Sequence, residues 1–379
     1  MRSTQRFPTT QSGGGADSML ETLAGIAGPV AAFILLVVPL IVLHELGHLI
    51  AARLRGIDVP EFGIGFPPRL LTLFRGRRTE LTINALPLGG FVRMAGSEEG
   101  DPNPAGWERA SLASKVVVMV SGVTVNLVAA FILMVVLAGP LAERASVLLG
   151  AVQAGSPAAA AGLMPGDRIT GIDGEPLDRF DAPLSSLAEH AGERVTLTLE
   201  RPGAATVSVD VTLRTADEAV GQGYLGVQIA GIEAAGPLRR SPWEALSVAS
   251  VRTWDAGTSI ISALGTFVTS PLRPSGESAA VSGPIGIAVG VAGAAGQLGI
   301  TGILHVSALL SANLAILNLL PIPPLDGGRV AALLLRRLLG ERRGRSAERR
   351  LVTAGAAVML ALFAWISLGD ILNLLGISR

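Results

Sequence analysis

The chain has 379 residues, of which 49% are hydrophobic and 16% charged, and its mean hydropathy is +0.53. Soluble domains carry about 25% charged residues, so a protein solvated on all sides is excluded. Thirty basic and thirty acidic side chains cancel, which leaves no bulk positive field for nucleic acid. Cysteine is absent, which removes disulfides, thiolate metal sites and a cysteine nucleophile.

Residues 1–20 are polar and rich in Gly and Ser, and are expected to form a disordered tail. The first apolar run, Leu23 to Leu43, holds 21 residues without a charge and resumes after Glu45 as far as Ala52. It is too long for the core of a signal peptide and long enough to cross a bilayer. Thr79 to Leu86 alternates with period 2 after a basic turn, Arg75 to Arg78, and predicts a hairpin. The second run spans Val116 to Ala142. A polar insert follows, with alternating stretches at 194–199 and 206–213 and turn signals at Pro165-Gly166-Asp167 and Asp173-Gly174. It reads as a small β-rich domain. Residues 240–280 are weakly amphipathic and carry Arg252 and Asp255, which suits helices lying at the membrane interface. The third run, Ala279 to Leu325, has its helix at about 298–320, and the fourth is Leu351 to Gly369. About four transmembrane helices are expected. Arginines crowd the segments 53–93 and 329–350, which places both in the cytoplasm and the insert on the opposite side.

The main chemical signal is His44-Glu45-Leu46-Gly47-His48. On a helix, positions i and i+4 share a face, so both imidazoles can hold one metal with Glu45 beside the open position. Ionisable groups inside a membrane span are expensive and mark function. Two histidines leave a tetrahedral zinc short of a protein ligand. His190 lies in the polar insert and reads as an ordinary surface group, and His305 lies well before the end of the third run. Asp326, in Asn318-Leu-Leu-Pro-Ile-Pro-Pro-Leu-Asp-Gly-Gly, ends that run and is the better third ligand. His44 and His48 lie toward the same side of the bilayer, and the prolines break the helix where it would line a cavity.

These two motifs, with an insert between membrane segments, resemble the site-2 protease family, closest to bacterial intramembrane metalloproteases of the regulator-of-sigma-E type. The resemblance covers residues 20–375. It implies a polytopic α-helical membrane protein, with residues 21–142 and 281–379 forming the membrane part, and Zn2+ as cofactor. His44, His48 and Asp326 would be the zinc ligands, Glu45 the general base and Asn318 a polar group for substrate or transition state. Residues 145–231 resemble one PDZ-like α+β domain, where many relatives carry two. Within it, Tyr224, Leu225 and Gly226 resemble a loop that takes a peptide C-terminus. Phe62 to Met94 is similar to a membrane re-entrant β-hairpin, in which Thr82, Ile83 and Asn84 would form an edge strand that pairs with an unwound substrate. The implied partners are the lipid bilayer and a single-pass transmembrane substrate of the anti-sigma factor type, or signal-peptide remnants. The implied place is the inner (plasma) membrane, with the PDZ-like domain outside the cytoplasm. Two rival classes are a non-catalytic PDZ membrane adaptor and a metal-binding transporter. The adaptor has no use for Glu45 or Asp326, and the transporter should show internal repeats that the four runs lack.

Overall fold

The first apolar run is a single helix, α1 (Gly14–Leu54), longer at roughly 60 Å than the hydrocarbon core of about 30 Å. The computed structural model describes residues 14–97, 106–180, 184–203, 206–269 and 284–374. The expected disordered tail therefore needs correction over 14–20, which are helical; Ala, Met, Leu and Glu after the glycines are good helix formers. Residues 1–13 lie outside the described residues. The chain forms two compact units, one made of 1–133 with 252–379 and the other of 134–251.

In the first unit, α1 leads into strands β1 (Glu61–Arg75) and β2 (Glu80–Arg93). Each strand has two halves with different partners. Residues 69–75 run antiparallel to 80–84, through Leu71↔Ile83, Thr72↔Thr82 and Phe74↔Leu81. Residues 80–83 also run parallel to 61–64, through Phe62↔Leu81 and Gly63↔Thr82. Residues 61–64 then pair antiparallel with 90–93, through Gly63↔Phe91 and Ile64↔Gly90. The small sheet thus has the order 69–75, 80–84, 61–64, 90–93. Its buried charge, Glu61, is held by Arg69 at 2.5 Å, by Arg93, and by the Thr82 hydroxyl, which donates to Oε1 at 2.9 Å.

Helix α2 (Leu112–Ala138) carries the second run. Three helical stretches among the described residues are long and apolar enough to cross a membrane: Ala31–Leu54, Leu112–Ala138 and Gly299–Leu319. The last is the second half of α5 (Pro284–Leu319), broken at Gly299, whose φ of 60° and ψ of −143° only glycine adopts readily. The fourth expected span falls inside α7 (Glu341–Leu374), partly on side chains outside the described residues. The stretch 329–350, expected as a loop, is instead α6 (Asp326–Leu339), Gly340 and the first turns of α7. Its Leu, Ala and Arg are strong helix formers, and one face of α6 buries Gly328, Ala332, Leu333 and Arg336. Arg336 pairs with Glu108 at 2.9 Å. The expected interfacial helices at 240–280 are one helix, α4 (Pro242–Thr269), with 270–283 outside the described residues.

The second unit is built on a sheet of β3 (Glu143–Val152), β4 (Arg168–Ile172), β5 (Glu175–Pro176), β6 (Arg194–Glu200), β7 (Val207–Thr212) and β8 (Val227–Pro237), in the order β7-β6-β4-β3-β8 with β5 on β4. Period-2 alternation buries Val195, Leu197 and Leu199 of β6 against Val147, Leu149, Ile169 and Val211. Asp173 (φ 50°) and Gly174 (φ 84°) make the tight turn between β4 and β5, where both positions need positive φ. A short helix, α3 (Pro157–Ala160), is capped by Ser156, whose Oγ accepts from the Ala159 N–H.

Candidate metal centre

The site begins with the i,i+4 pair on α1. His44 and His48 are buried, and their rings meet edge to face with centroids 4.7 Å apart. Asp326 joins them from the first turn of α6, a helix start where a carboxylate is favoured. It therefore opens a helix rather than closing the third run. The chain reaches it by turning back after Leu319: a Cβ on Gly327 would lie 2.2 Å from the Leu319 carbonyl oxygen, and one on Gly328 2.3 Å from the Pro323 nitrogen. The Gly-Gly pair thus lets the proline-rich turn close over the start of α6.

His44 Nε2 and Asp326 Oδ2 are 3.0 Å apart, His48 Nε2 and Asp326 Oδ2 3.2 Å, and the two Nε2 atoms 3.1 Å. Donor atoms about 2.0–2.1 Å from a tetrahedral zinc lie roughly 3.3 Å from each other, so the triangle fits that ion with little adjustment. The His48 Nδ1–H donates to the Val118 carbonyl at 2.7 Å, which leaves the Nε2 lone pair for a metal. A further fit comes from Gly122 on α2. A Cβ there would sit 2.7 Å from His44 Cε1, His44 Nε2 and His48 Nε2, so the absent side chain makes room where the donor atoms converge. Close approach of the helices needs the same economy at Gly47, whose Cβ would lie 2.8 Å from the Ser121 carbonyl oxygen.

Glu45, one residue on from His44, projects about 100° around the helix from it. It is half-buried, and its Cγ lies 3.1 Å from where a Gly90 Cβ would be. The start of segment 90–93 therefore lies beside the glutamate. Asn318 is half-buried on the last turns of α5, and its amide donates to the Leu314 carbonyl at 2.9 Å. His305 and His190 take no part in the triad; His190 pairs with Glu193 at 3.1 Å.

The expected edge strand requires correction. Thr82 and Ile83 are paired on both sides, by 61–64 and by 69–75, so they offer no open edge. Thr82 is fully buried on Glu61, and the Asn84 amide donates to the Ile64 and Gly65 carbonyls. Alternation identified a strand but could not tell a central one from an edge, because both neighbours come from β1 after it bends back. In the insert, Leu225 is a core side chain with Tyr224 packed on that core. Gly226 takes φ 71°, and a Cβ there would strike Ser156. The nearby cavity, about 570 Å³, is lined by Ser156, Arg214, Glu218 and Gln222 among others. Sequence reasoning missed Val118, Gly122, Gly90 and the buried Asn126, whose Nδ2 lies 3.3 Å from His44 Nδ1. A usable signal was present for one of them, since Asn126 is the one amide in the run Val116 to Ala142.

Comparison with known proteins agrees with the geometry. The model of peptidase family M50 matches residues 32–362. A protein of Agrobacterium fabrum named "Putative zinc metalloprotease" is 29% identical over 95% of this chain and 100% of its own length. A Clostridium acetobutylicum protein with the same description is 30% identical over 88% of this chain and 94% of its own. "Probable membrane metalloprotease ARASP2, chloroplastic" of Arabidopsis thaliana is 31% identical over 88% of this chain and 78% of its own. The family match contains the whole triad, and a buried His-His-Asp centre among apolar spanning helices is what a membrane metalloprotease requires: the chain belongs to peptidase family M50, the site-2 proteases.

Proposed function

We propose that this protein is a zinc endopeptidase that cuts single-pass proteins within their transmembrane segments. The observation that carries this is the convergence of His44 Nε2 and His48 Nε2, on a helix of spanning length, with Asp326 Oδ2 from the start of α6 to 3.0–3.2 Å, with Glu45 adjacent. A zinc ion held there would polarise a peptide carbonyl and acidify a water molecule. Glu45 accepts a proton from the attacking water as the new C–O bond forms. It returns that proton to the leaving amide nitrogen as the C–N bond breaks. Asn318 turns its amide from the Leu314 carbonyl toward the oxyanion or the adjacent substrate backbone.

A substrate helix hides its carbonyls in its own hydrogen bonds and must unwind before attack. Segment 90–93, at the edge of the small sheet and beside Glu45, is placed to pair with the unwound stretch. The hairpin enters the membrane from the cytoplasmic side. Phe66, Leu70, Leu71, Leu73, Phe74 and Leu86 are all exposed on it, which suits lipid better than water. The insert acts as a PDZ-like filter outside the cytoplasm, and β8, the last strand of its sheet, offers an edge for a peptide C-terminus near Tyr224-Leu225-Gly226. A fourth span lies in α7, the protein resides in the inner membrane, and substrates are of the anti-sigma factor or signal-peptide-remnant type. The adaptor class leaves the buried triad without a use, and the transporter class leaves Glu45 beside it without one.

Glu45→Gln keeps the side-chain volume and removes the proton acceptor. The purified variant should retain zinc and lose about 10²–10⁴ in cleavage rate on a reconstituted transmembrane substrate. Cleavage near the wild-type rate would end this mechanism. Topology is read by single cysteines at Ser346 and Ser208, both exposed, which should react with an impermeant reagent from opposite sides of the membrane.

A further inference from the structure

Three consecutive turns of α2 face the histidine pair. Val118 offers its carbonyl to His48, Gly122 offers space, and Asn126 offers its amide to His44. The spacing is i, i+4, i+8, one stripe of a helix. Asn126 is fully buried (0% exposed). Its Nδ2 lies 3.3 Å from His44 Nδ1, while its Oδ1 is buried with no hydrogen-bond partner among the described residues. An unpaired buried carbonyl oxygen costs free energy and calls for an explanation.

The chemistry of the metal centre supplies one. His44 Nε2 points at Asp326 and at His48 Nε2, so it is the nitrogen that gives its lone pair to a metal. Its Nδ1 then carries the ring proton and needs an acceptor, which Nδ2 cannot be. A half-turn about χ2 of Asn126 exchanges amide oxygen and nitrogen at constant volume and brings Oδ1 to Nδ1–H. That turn pairs the oxygen with the ring N–H and moves the open hydrogen-bond valence to Nδ2.

We propose that Asn126 is a positioning residue for the metal centre: its Oδ1 accepts the His44 Nδ1–H and holds the ring in the tautomer and orientation that ligates zinc. It does for His44 what the Val118 carbonyl does for His48, so a single face of α2 orients both imidazoles. Helix α5 fixes the post in place, because the buried Ser311 hydroxyl donates to the Asn126 backbone carbonyl at 2.9 Å. The inference rests on the zinc assignment made above, and it concerns the outer nitrogen of one ligand rather than the ligand set.

The test uses the full chain in detergent, with zinc affinity measured by competition against a chelating dye and the melting temperature of the zinc-free protein measured beside it. Asn126→Leu should weaken zinc by about 10–100-fold, the usual effect of losing an outer hydrogen-bond partner. It should change the zinc-free melting temperature little, because one unpaired amide group leaves the interior while His44 Nδ1 loses its side-chain partner. Asn126→Asp keeps an acceptor and should bind zinc close to wild type. If Asn126→Leu binds zinc as wild type does, or if the Asp variant loses as much as the Leu variant, no acceptor is required and the proposal is overturned. Should the Leu variant not fold, Asn126→Ala takes its place with the same expectation. A wild-type protein that binds no zinc overturns the functional reading instead, and so the two failures stay distinct.

Discussion

Both units of this protein have an apolar interior, but the membrane unit also gathers a cluster of polar side chains inside it and turns apolar ones outward. In 134–251 the interior is Val147, Leu149, Ile169, Leu197, Leu199 and Val211, while Ser208, Asp210 and Thr212 of β7 face outward. In the membrane unit, His44, His48, Asn126, Ser311 and Asp326 are inside, and Leu35, Leu43, Ile50, Val128 and Ile132 are exposed. Water rewards the first arrangement through apolar burial. Lipid offers no such reward, so close helix contact depends on small residues and interior polar groups must satisfy one another. Substitutions of equal size should therefore have opposite signatures in the two units. Adding a methyl group should be most damaging among the membrane helices, and removing one most damaging in the insert.

Gly122→Ala is the largest effect expected. In an ordinary helix the change gains up to about 1 kcal/mol. Here the new Cβ meets three atoms at the tips of the two histidine rings at 2.7 Å, and those rings are held by Asp326 and the Val118 carbonyl. Zinc occupancy of the purified variant should fall below a tenth of wild type, while Gly28→Ala, whose Cβ meets nothing within 4 Å, should keep full occupancy. Full zinc in Gly122→Ala would mean that the space over the histidines is not needed.

The converse experiment removes volume from the insert. Leu197 is fully buried on β6, and Leu→Ala in such a core costs about 2–5 kcal/mol. Protease sites within 134–251 should open at a lower temperature in Leu197→Ala, and zinc content should not change, because every proposed ligand lies in the other unit. Loss of zinc together with the insert would show that the membrane unit leans on it for its own folding.

What could be read from the residues follows the same division. Period-2 alternation located β6 and β7, and charge-free length located α1, α2 and the second half of α5. Expensive residues in cheap surroundings located His44, Glu45, His48 and Asp326. The remainder depended on which elements become neighbours. Thr82 and Ile83 alternate as any half-buried strand does, and only the return of 61–64 beside them makes the strand central. Gly122 looks like one more small residue in an apolar run until α1 lies across it. Asp326 is separated from His44 by 282 positions, and its place at a helix start rather than a helix end depends on Gly327 and Gly328 admitting the proline turn.

The smallest effect sharpens the comparison from the insert's polar side. Asp167 is buried at the turn before β4, where Arg201 donates to it through Nε at 2.7 Å and Nη2 at 2.8 Å and the Met164 N–H donates at 2.9 Å. Hydrogen bonding from Arg201, opposed by burial and helped by Met164, holds its carboxyl below the ordinary carboxylate range. The unfolded chain titrates this group near about 3.9, so the folded state favours the ionised form. Its contribution to stability is complete above that value, shrinks as the pH falls toward the lower folded value, and is gone beneath it. Asp167→Asn should therefore melt the insert at a lower temperature than wild type at pH 7. The gap should close as the pH is lowered from about 5 to about 2. Glu218 and Glu233 are lowered in the same unit by their own partners, and because both proteins keep those groups, their titration cancels in the difference. A gap that stays constant over this range would mean that Asp167 acts through packing of the turn and not through its charge.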